Sequence, residues 1–112
     1  MPKIVTHNTT SAFKVASGGG YVRFAGIEMY TTSTKYAKPN HKPWPINGFT
    51  YYLLSGTGAA NVTVDRCYMH GSDTEDVNHA IGFWQQSSYI AVVDSDIQDI
   101  HGGHNDSQAF AA

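Results

Sequence analysis

One apolar template occurs three times along the chain, and its spacing restricts the fold more than any other feature of the sequence. The three copies are "VRFAGIEM" (22–29), "VTVDRCYM" (62–69) and "IAVVDSDI" (90–97). In each copy, apolar residues stand at the first, third and eighth positions, with a small or apolar residue at the sixth. Alternation with a period of two indicates a β-strand, and the change of period indicates a bend followed by a second short strand.

A second apolar segment precedes each copy of the template at a constant distance. The segments are "AFKVAS" (12–17), "YYLLSG" (51–56) and "AIGFWQ" (80–85). With Phe13, Leu53 and Ile81 taken as equivalent, each of them stands nine positions before the first residue of the following template. The interval between the first and second copies of the template is longer by twelve positions than the interval between the second and third. We therefore predict an inserted loop at about residues 31–48.

A repeat of about 28 residues with short strands is typical of a solenoid, since so small a unit buries its apolar face only by stacking on its neighbours. We predict one all-β domain over residues 1–112, a parallel β-solenoid of about three and a half coils with uncapped ends. A β-sandwich would need tight hairpins, and the Asn-Gly pair at Asn47 lies inside the predicted insertion. Met29, Met69, Phe13 and Leu53 are predicted to lie in the core.

Composition excludes several classes of partner. Charged residues make up 14% of the chain and the formal net charge is −2, so no basic surface for nucleic acid is expected. The sequence contains no run of 18 apolar residues, which disfavours a transmembrane helix. The single cysteine, Cys67, allows no intrachain disulfide and is expected to be a small buried hydrophobe. Uncapped end coils expose strand edges, and we expect the chain to self-associate through them.

The repeat also resembles a known family. "YVRFAGIEM", "NVTVDRCYMHG" and "IAVVDSDIQDIHGGHNDSQAF" are similar to consecutive coils of the right-handed parallel β-helix proteins of the pectate-lyase-like superfamily, especially the large secreted bacterial β-helix repeat proteins. The resemblance implies a right-handed β-helix, an extracellular or cell-surface location and a polysaccharide partner. It identifies no reaction, because this superfamily includes lyases, hydrolases, esterases, tailspikes and adhesins.

Two polar loops follow successive copies of the template, at 70–79 and 98–107. Imidazole and carboxylate groups brought together in this way form a candidate acid/base site. The alternative is a solvated ridge, because Gly, Asp, Asn and His are common turn residues. Carboxylate oxygens also suit calcium, for which we consider Asp73, Asp76 and Asp106. The spacing of the second and third template copies, applied to these loops, stacks Asp73 near His101, Asp76 near His104 and Asn78 near Asp106.

Arg66 is the fifth catalytic candidate, beside Asp76, His101, His104 and Asp106. It is expected to stack on Asp94 of the next coil, either as a structural ion pair or, as the resemblance implies, as the basic residue of a polysaccharide lyase.

Aromatic residues supply a separate candidate for sugar binding. The insertion contains Tyr36 and Trp44 among three prolines, and Trp84 follows in a later repeat. Rings on a projecting loop offer flat apolar faces to sugars, although Trp44 would serve equally well to cover the side of the solenoid. From the resemblance, the expected function is that of a fragment of a secreted β-helix protein that binds an acidic or neutral polysaccharide, with or without cleaving it by β-elimination or hydrolysis. A structural or adhesive solenoid that performs no reaction is the alternative.

Overall fold

A computed structural model describes residues 1–6, 11–32, 50–71, 77–100 and 107–112, except for the side chain of Tyr51. Across these residues the chain is all-β and forms eleven strands. None of the described residues belongs to a helix long and apolar enough to cross a membrane. The strands are β1 (Lys3–Thr6), β2 (Phe13–Val15), β3 (Gly20–Ala25), β4 (Glu28–Thr31), β5 (Thr50–Thr57), β6 (Ala60–Asp65), β7 (Tyr68–His70), β8 (Val77–Trp84), β9 (Ser88–Val93), β10 (Asp96–Gln98) and β11 (Gln108–Ala111).

The strands form three parallel sheets, each of which collects strands from successive repeats. Sheet A has the order β1-β4-β7-β10, sheet B the order β2-β5-β8-β11 and sheet C the order β3-β6-β9. A strand therefore pairs with the equivalent strand of the next repeat and not with its neighbour in sequence. This arrangement, in which the strands of each repeat pair with those of the next repeat, is compatible with a β-solenoid.

The register of the template is confirmed. Val22 pairs with Val62, which pairs with Ile90 in sheet C. In sheet A, Met29 pairs with Met69, and Met69 pairs in turn with Ile97 of the next repeat. The twelve additional residues of the first repeat fall between Met29 and Met69, and the predicted insertion at 31–48 lies almost entirely outside the described residues.

The predicted bend within the template is a two-residue corner between sheets C and A. Its first residue has a positive φ in all three repeats, at Gly26 (64°), Arg66 (51°) and Asp94 (46°). Backbone hydrogen bonds tie each corner to the next, such as those from the amides of Gly26 and Arg66 to the carbonyls of Asp65 and Val93 (3.0 and 3.1 Å). A repeated left-handed residue thus turns the chain from one sheet into the next.

The register predicted for sheet B is wrong by one residue. Phe13 and Ile81 both pair with Leu54, and not with Leu53. The corner that leads to sheet C contains only Gly58 and Ala59 in this repeat, one residue fewer than the corner at 85–87. Because Leu53 and Leu54 are both fully buried, the apolar pattern does not distinguish the two registers.

The core lies between the three sheets. Met29, Met69 and Leu53 are fully buried and Cys67 nearly so, as predicted. Phe13, however, is 41% exposed, so its assignment to the core is wrong. It lies on β2, an edge strand of sheet B, and its ring packs edge-on against Phe24 at 4.8 Å. An edge strand lacks a further repeat to cover its side chains.

Candidate functional site

The outer face of sheet A carries a group of polar and aromatic side chains that contact one another. Met29 and Met69 pair with each other and are fully buried, so the residues on either side of them point away from the core. Strands β1 and β10 extend the same face in both directions. We call it the sheet A strip, made of Lys3, Glu28, Tyr30, Tyr68, His70, Asp96 and Gln98.

Glu28 is the electrostatic centre of the sheet A strip. Its Oε2 lies 2.8 Å from the Lys3 Nζ of the preceding repeat, and its Oε1 lies 3.0 Å from the His70 Nε2 of the following one. Lys3, and to a smaller extent His70, lower the pKa of the Glu28 carboxyl, whereas Glu28 raises the pKa of Lys3. One carboxylate therefore links three repeats through two ionic hydrogen bonds.

His70 is held at both ring nitrogens. Its Nδ1 lies 2.8 Å from the carbonyl oxygen of Gly71, and its Nε2 faces the carboxylate of Glu28. Both partners accept hydrogen bonds, so the ring satisfies both contacts only when each nitrogen carries a proton. The backbone carbonyl and the carboxylate thus fix the position and the plane of the ring.

Two tyrosine rings stack on His70. Tyr30, its neighbour on β4, has its ring centroid at 5.2 Å with an interplanar angle of 7°. Tyr68, two residues earlier on β7, lies at 4.3 Å and 22°. The Lys3 Nζ is 5.8 Å from the Tyr30 centroid, within the range of a cation–π contact. The strip thus combines aromatic surface with donors and acceptors whose positions are set by the sheet.

The sheet A strip was not predicted from the sequence. The residue patterns place His70 only at the start of a polar loop, and they indicate no role for Glu28 or for the two tyrosines. The signal was present nevertheless. Once Met29 and Met69 are assigned to the core, alternation places the flanking residues of both strands on one outer face.

Most of the predicted site residues lie outside the described residues. Their proposed roles in catalysis, sugar binding and calcium binding therefore stay predictions. The described residues contain no group of three or more His, Cys, Asp or Glu side chains that could hold a metal ion. The residues concerned are Tyr36, Trp44, Asp73, Asp76, His101, His104 and Asp106.

Arg66 lies at the corner between sheets C and A and forms an ion pair with its neighbour in sequence. Its Nε and Nη2 donate to Asp65 Oδ1 and Oδ2, each at 3.1 Å. Arg23 of the preceding repeat binds the same carboxylate, with its Nε 3.0 Å from Oδ2. Hydrogen bonds from Arg23, followed by those from Arg66, lower the pKa of Asp65. The Asp65 carboxylate raises the pKa of Arg66, and Asp94, the predicted partner, adds a smaller attraction in the same direction.

Trp84 is half-buried at the end of β8. A Cβ at Gly82 would lie only 1.9 Å from the Trp84 Cη2, so the indole ring covers the backbone of this glycine. The ring centroid of Tyr52 is 4.6 Å away. Trp84 lies before strand β9 of sheet C, whereas Arg66 lies after strand β6 of the same sheet. These two predicted site residues are therefore at opposite ends of sheet C, separated by the length of a six-residue strand, about 20 Å.

Comparison with protein-family models, with curated proteins and with solved structures found no match.

The lowered carboxyl pKa values of Asp65 and Glu28 lead to a prediction about pH. A carboxyl whose pKa is lower in the folded state stabilises the fold fully above its ordinary pKa, and this contribution is lost as the pH falls through the folded value. We expect the free energy of unfolding to decrease below about pH 4. Urea unfolding followed by circular dichroism at pH 7, 5, 4 and 3 measures it.

Two variants distinguish the effect of these carboxyls on the pH dependence of stability from the effect of other acidic residues. Asp65→Asn removes one of the two groups and is expected to flatten the decrease. The control is Asp96→Asn, which removes a carboxylate that accepts a hydrogen bond from Gln98, and it should keep the slope of the wild type. The same slope for all three proteins would contradict the ionic role of Asp65.

Proposed function

We propose that this chain is part of a secreted right-handed parallel β-helix protein that binds polysaccharide on the outer face of sheet A. Parallel strands joined by crossovers within one sheet are right-handed in about 98% of cases, which supports the hand. The resemblance of the repeat to the pectate-lyase-like superfamily supports the hand, the extracellular location and the class of ligand. No nucleic acid or membrane partner is included in the proposal.

The observation that carries the proposal is the sheet A strip. Sugars present apolar C–H faces, which pack on aromatic rings, and hydroxyl groups, which exchange hydrogen bonds with fixed donors and acceptors. The strip supplies both, with Tyr30 and Tyr68 as rings and Glu28 and His70 as polar groups. Because these groups come from successive strands about 4.8 Å apart, the surface is elongated along the stacking direction and suits a linear ligand.

Cleavage of the polysaccharide is the catalytic form of the proposal. The carboxylates and imidazoles of the two stacked loops would transfer protons in a β-elimination or a hydrolysis, and Arg66 would neutralise charge on the substrate. Calcium bound by Asp73, Asp76 and Asp106 would assist a lyase reaction through its charge. When Asp76 and Asp106 bind calcium, His101 and His104 are the candidates left for proton transfer.

A structural or adhesive solenoid is the second candidate function, and one observation favours it. Val92 continues the core column of Phe24 and Val64, but it is 38% exposed on the edge strand β9. Its neighbour Val93 is 45% exposed. Such an edge has unpaired backbone groups and apolar side chains that suit the addition of another coil, through self-association or in a longer assembly.

The proposed function is tested by measuring binding and turnover on a panel of polysaccharides. Polygalacturonate, alginate, xylan and a mixed-linkage β-glucan cover acidic and neutral backbones. We expect retardation of the wild-type protein in affinity gels, and a loss of about tenfold in affinity for Tyr68→Ala and for His70→Ala, because each removes a stacked ring. Absorbance of unsaturated products and reducing ends, with and without calcium, reports turnover.

A variant on another face separates loss of the site from loss of an exposed ring. Phe110 is 41% exposed on β11 of sheet B, and Phe110→Ala is expected to bind like the wild type. Binding without product supports the binding role alone, whereas product that depends on calcium supports a lyase. Absence of binding to every polysaccharide overturns the proposal and leaves the structural solenoid.

A further inference from the structure

Two tyrosines project from the outer face of sheet C at the same position of the repeat. Tyr21 on β3 is 91% exposed and Tyr89 on β9 is 80% exposed. The pairing of β3 with β6 and of β6 with β9 places Asn61 between them. The three residues form a column across three successive strands, in the order tyrosine, asparagine, tyrosine.

All three residues of this column have a left-handed backbone, with φ angles of 56°, 57° and 55° for Tyr21, Asn61 and Tyr89. Asparagine adopts this conformation readily, but it is an outlier for a bulky residue. The tyrosines gain little from packing in return, because their side chains are almost wholly exposed. Neither the backbone nor the core accounts for an aromatic ring at these two positions, and strained residues of this kind concentrate at binding sites.

We propose that the column Tyr21–Asn61–Tyr89 is a binding track for a linear polysaccharide that runs along the stacking direction of the repeats. The inference rests on the proposed function and adds a second face to it. Two strand spacings separate the tyrosines, about 9.6 Å, which is comparable with the length of a disaccharide unit in an extended β-1,4-linked chain. The rings would therefore contact alternate sugars, and the Asn61 amide would face the sugar between them.

The surface beside this column supports a flat ligand. The next outward column along the strands is Arg23, Thr63 and Ala91. Thr63 and Ala91 are small and do not rise above the sheet. The Arg23 guanidinium is drawn toward Asp65 by its hydrogen bond, away from the line between the two tyrosines. A sugar chain on this face would thus contact the two tyrosine rings without obstruction by neighbouring side chains. A ligand of at least three sugars is needed to contact both rings.

The decisive variants replace each tyrosine with the residue found between them. Tyr21→Asn and Tyr89→Asn keep a residue suited to the left-handed backbone and remove the ring, so we expect a melting temperature equal to or above that of the wild type. Isothermal titration with cellohexaose and with hexagalacturonate measures affinity. For the hexasaccharide that binds the wild type, each single variant should weaken binding to the track about tenfold, and the double variant further, while binding to the sheet A strip is unchanged.

Ligand length supplies a second test. The corresponding disaccharide reaches only one ring. The loss of affinity that the double variant shows for this disaccharide should therefore be no larger than the loss that a single variant shows for the hexasaccharide. Phe110→Asn removes an exposed ring from sheet B and serves as the control, with unchanged binding. If the wild type binds a hexasaccharide and the double variant binds it equally well, the track is wrong while the proposed function stands. If the wild type binds neither hexasaccharide nor any polysaccharide of the panel, both are overturned.

Discussion

Met69→Ala is expected to lower the free energy of unfolding by about 2–5 kcal/mol, the usual cost of removing a large buried apolar side chain. Met69 is fully buried on β7 and lies between Met29 and Ile97 in the interior column of sheet A. Alanine would leave a cavity in the core between the sheets, and close-packed surroundings collapse only partly around such a cavity. Since small domains have a total stability of about 5–15 kcal/mol, the loss should be readily visible in urea unfolding.

Ile97→Ala is the matched control for this prediction. Ile97 occupies the same column one repeat later, but on the edge strand β10, where it packs against the core while remaining partly exposed. Its replacement should cost clearly less than that of Met69, because part of the side chain is already in contact with water. Equal losses for the two variants would contradict the position of β10 at the edge of the sheet, and would indicate that another chain covers it.

Gly20→Ala is the second large effect, expected to cost about 3 kcal/mol, the upper part of the range for overpacking. A Cβ at this position would lie 2.2 Å from the carbonyl oxygen of Ala60 on the adjacent strand. The obstacle is backbone, so relief requires β3 and β6 to separate at the point where their pairing begins. Thermal and urea unfolding measure the loss of stability, and amide exchange of β6 shows whether the opening is local.

Gly26→Asn separates the clash from the general cost of replacing a glycine. Gly26 has a φ of 64°, and a Cβ at this position would meet no described atom within 4 Å. Arg66 and Asp94 occupy the equivalent corners with positive φ angles, so a side chain fits there. The expected loss is less than about 1 kcal/mol. A loss as large as that of Gly20→Ala would show that backbone freedom, and not the contact with Ala60, makes glycine necessary.

The contacts within the candidate site could be predicted only in part from residue patterns. Glu28 and His70 are 42 residues apart in sequence, and they meet because β4 and β7 are paired strands of sheet A. The pairing of the templates aligns their strands, but the choice of hydrogen-bond partners depends on side-chain conformation. For the same reason the position of Arg66 beside Asp94 was predicted, but its hydrogen bonds to Asp65 were not.

The sequence by itself determined the parallel all-β architecture and the register of the template strands, β3-β6-β9 in sheet C and β4-β7-β10 in sheet A. These follow from apolar residues that alternate along strands and recur in each repeat, because every unit must bury the same positions against its neighbours. Only the tertiary structure decided the register of sheet B, the exposure of Phe13 and the ionic cluster around Glu28. Two adjacent buried leucines leave the register open, an edge strand leaves its side chains uncovered, and polar partners are selected by the distances that stacking creates.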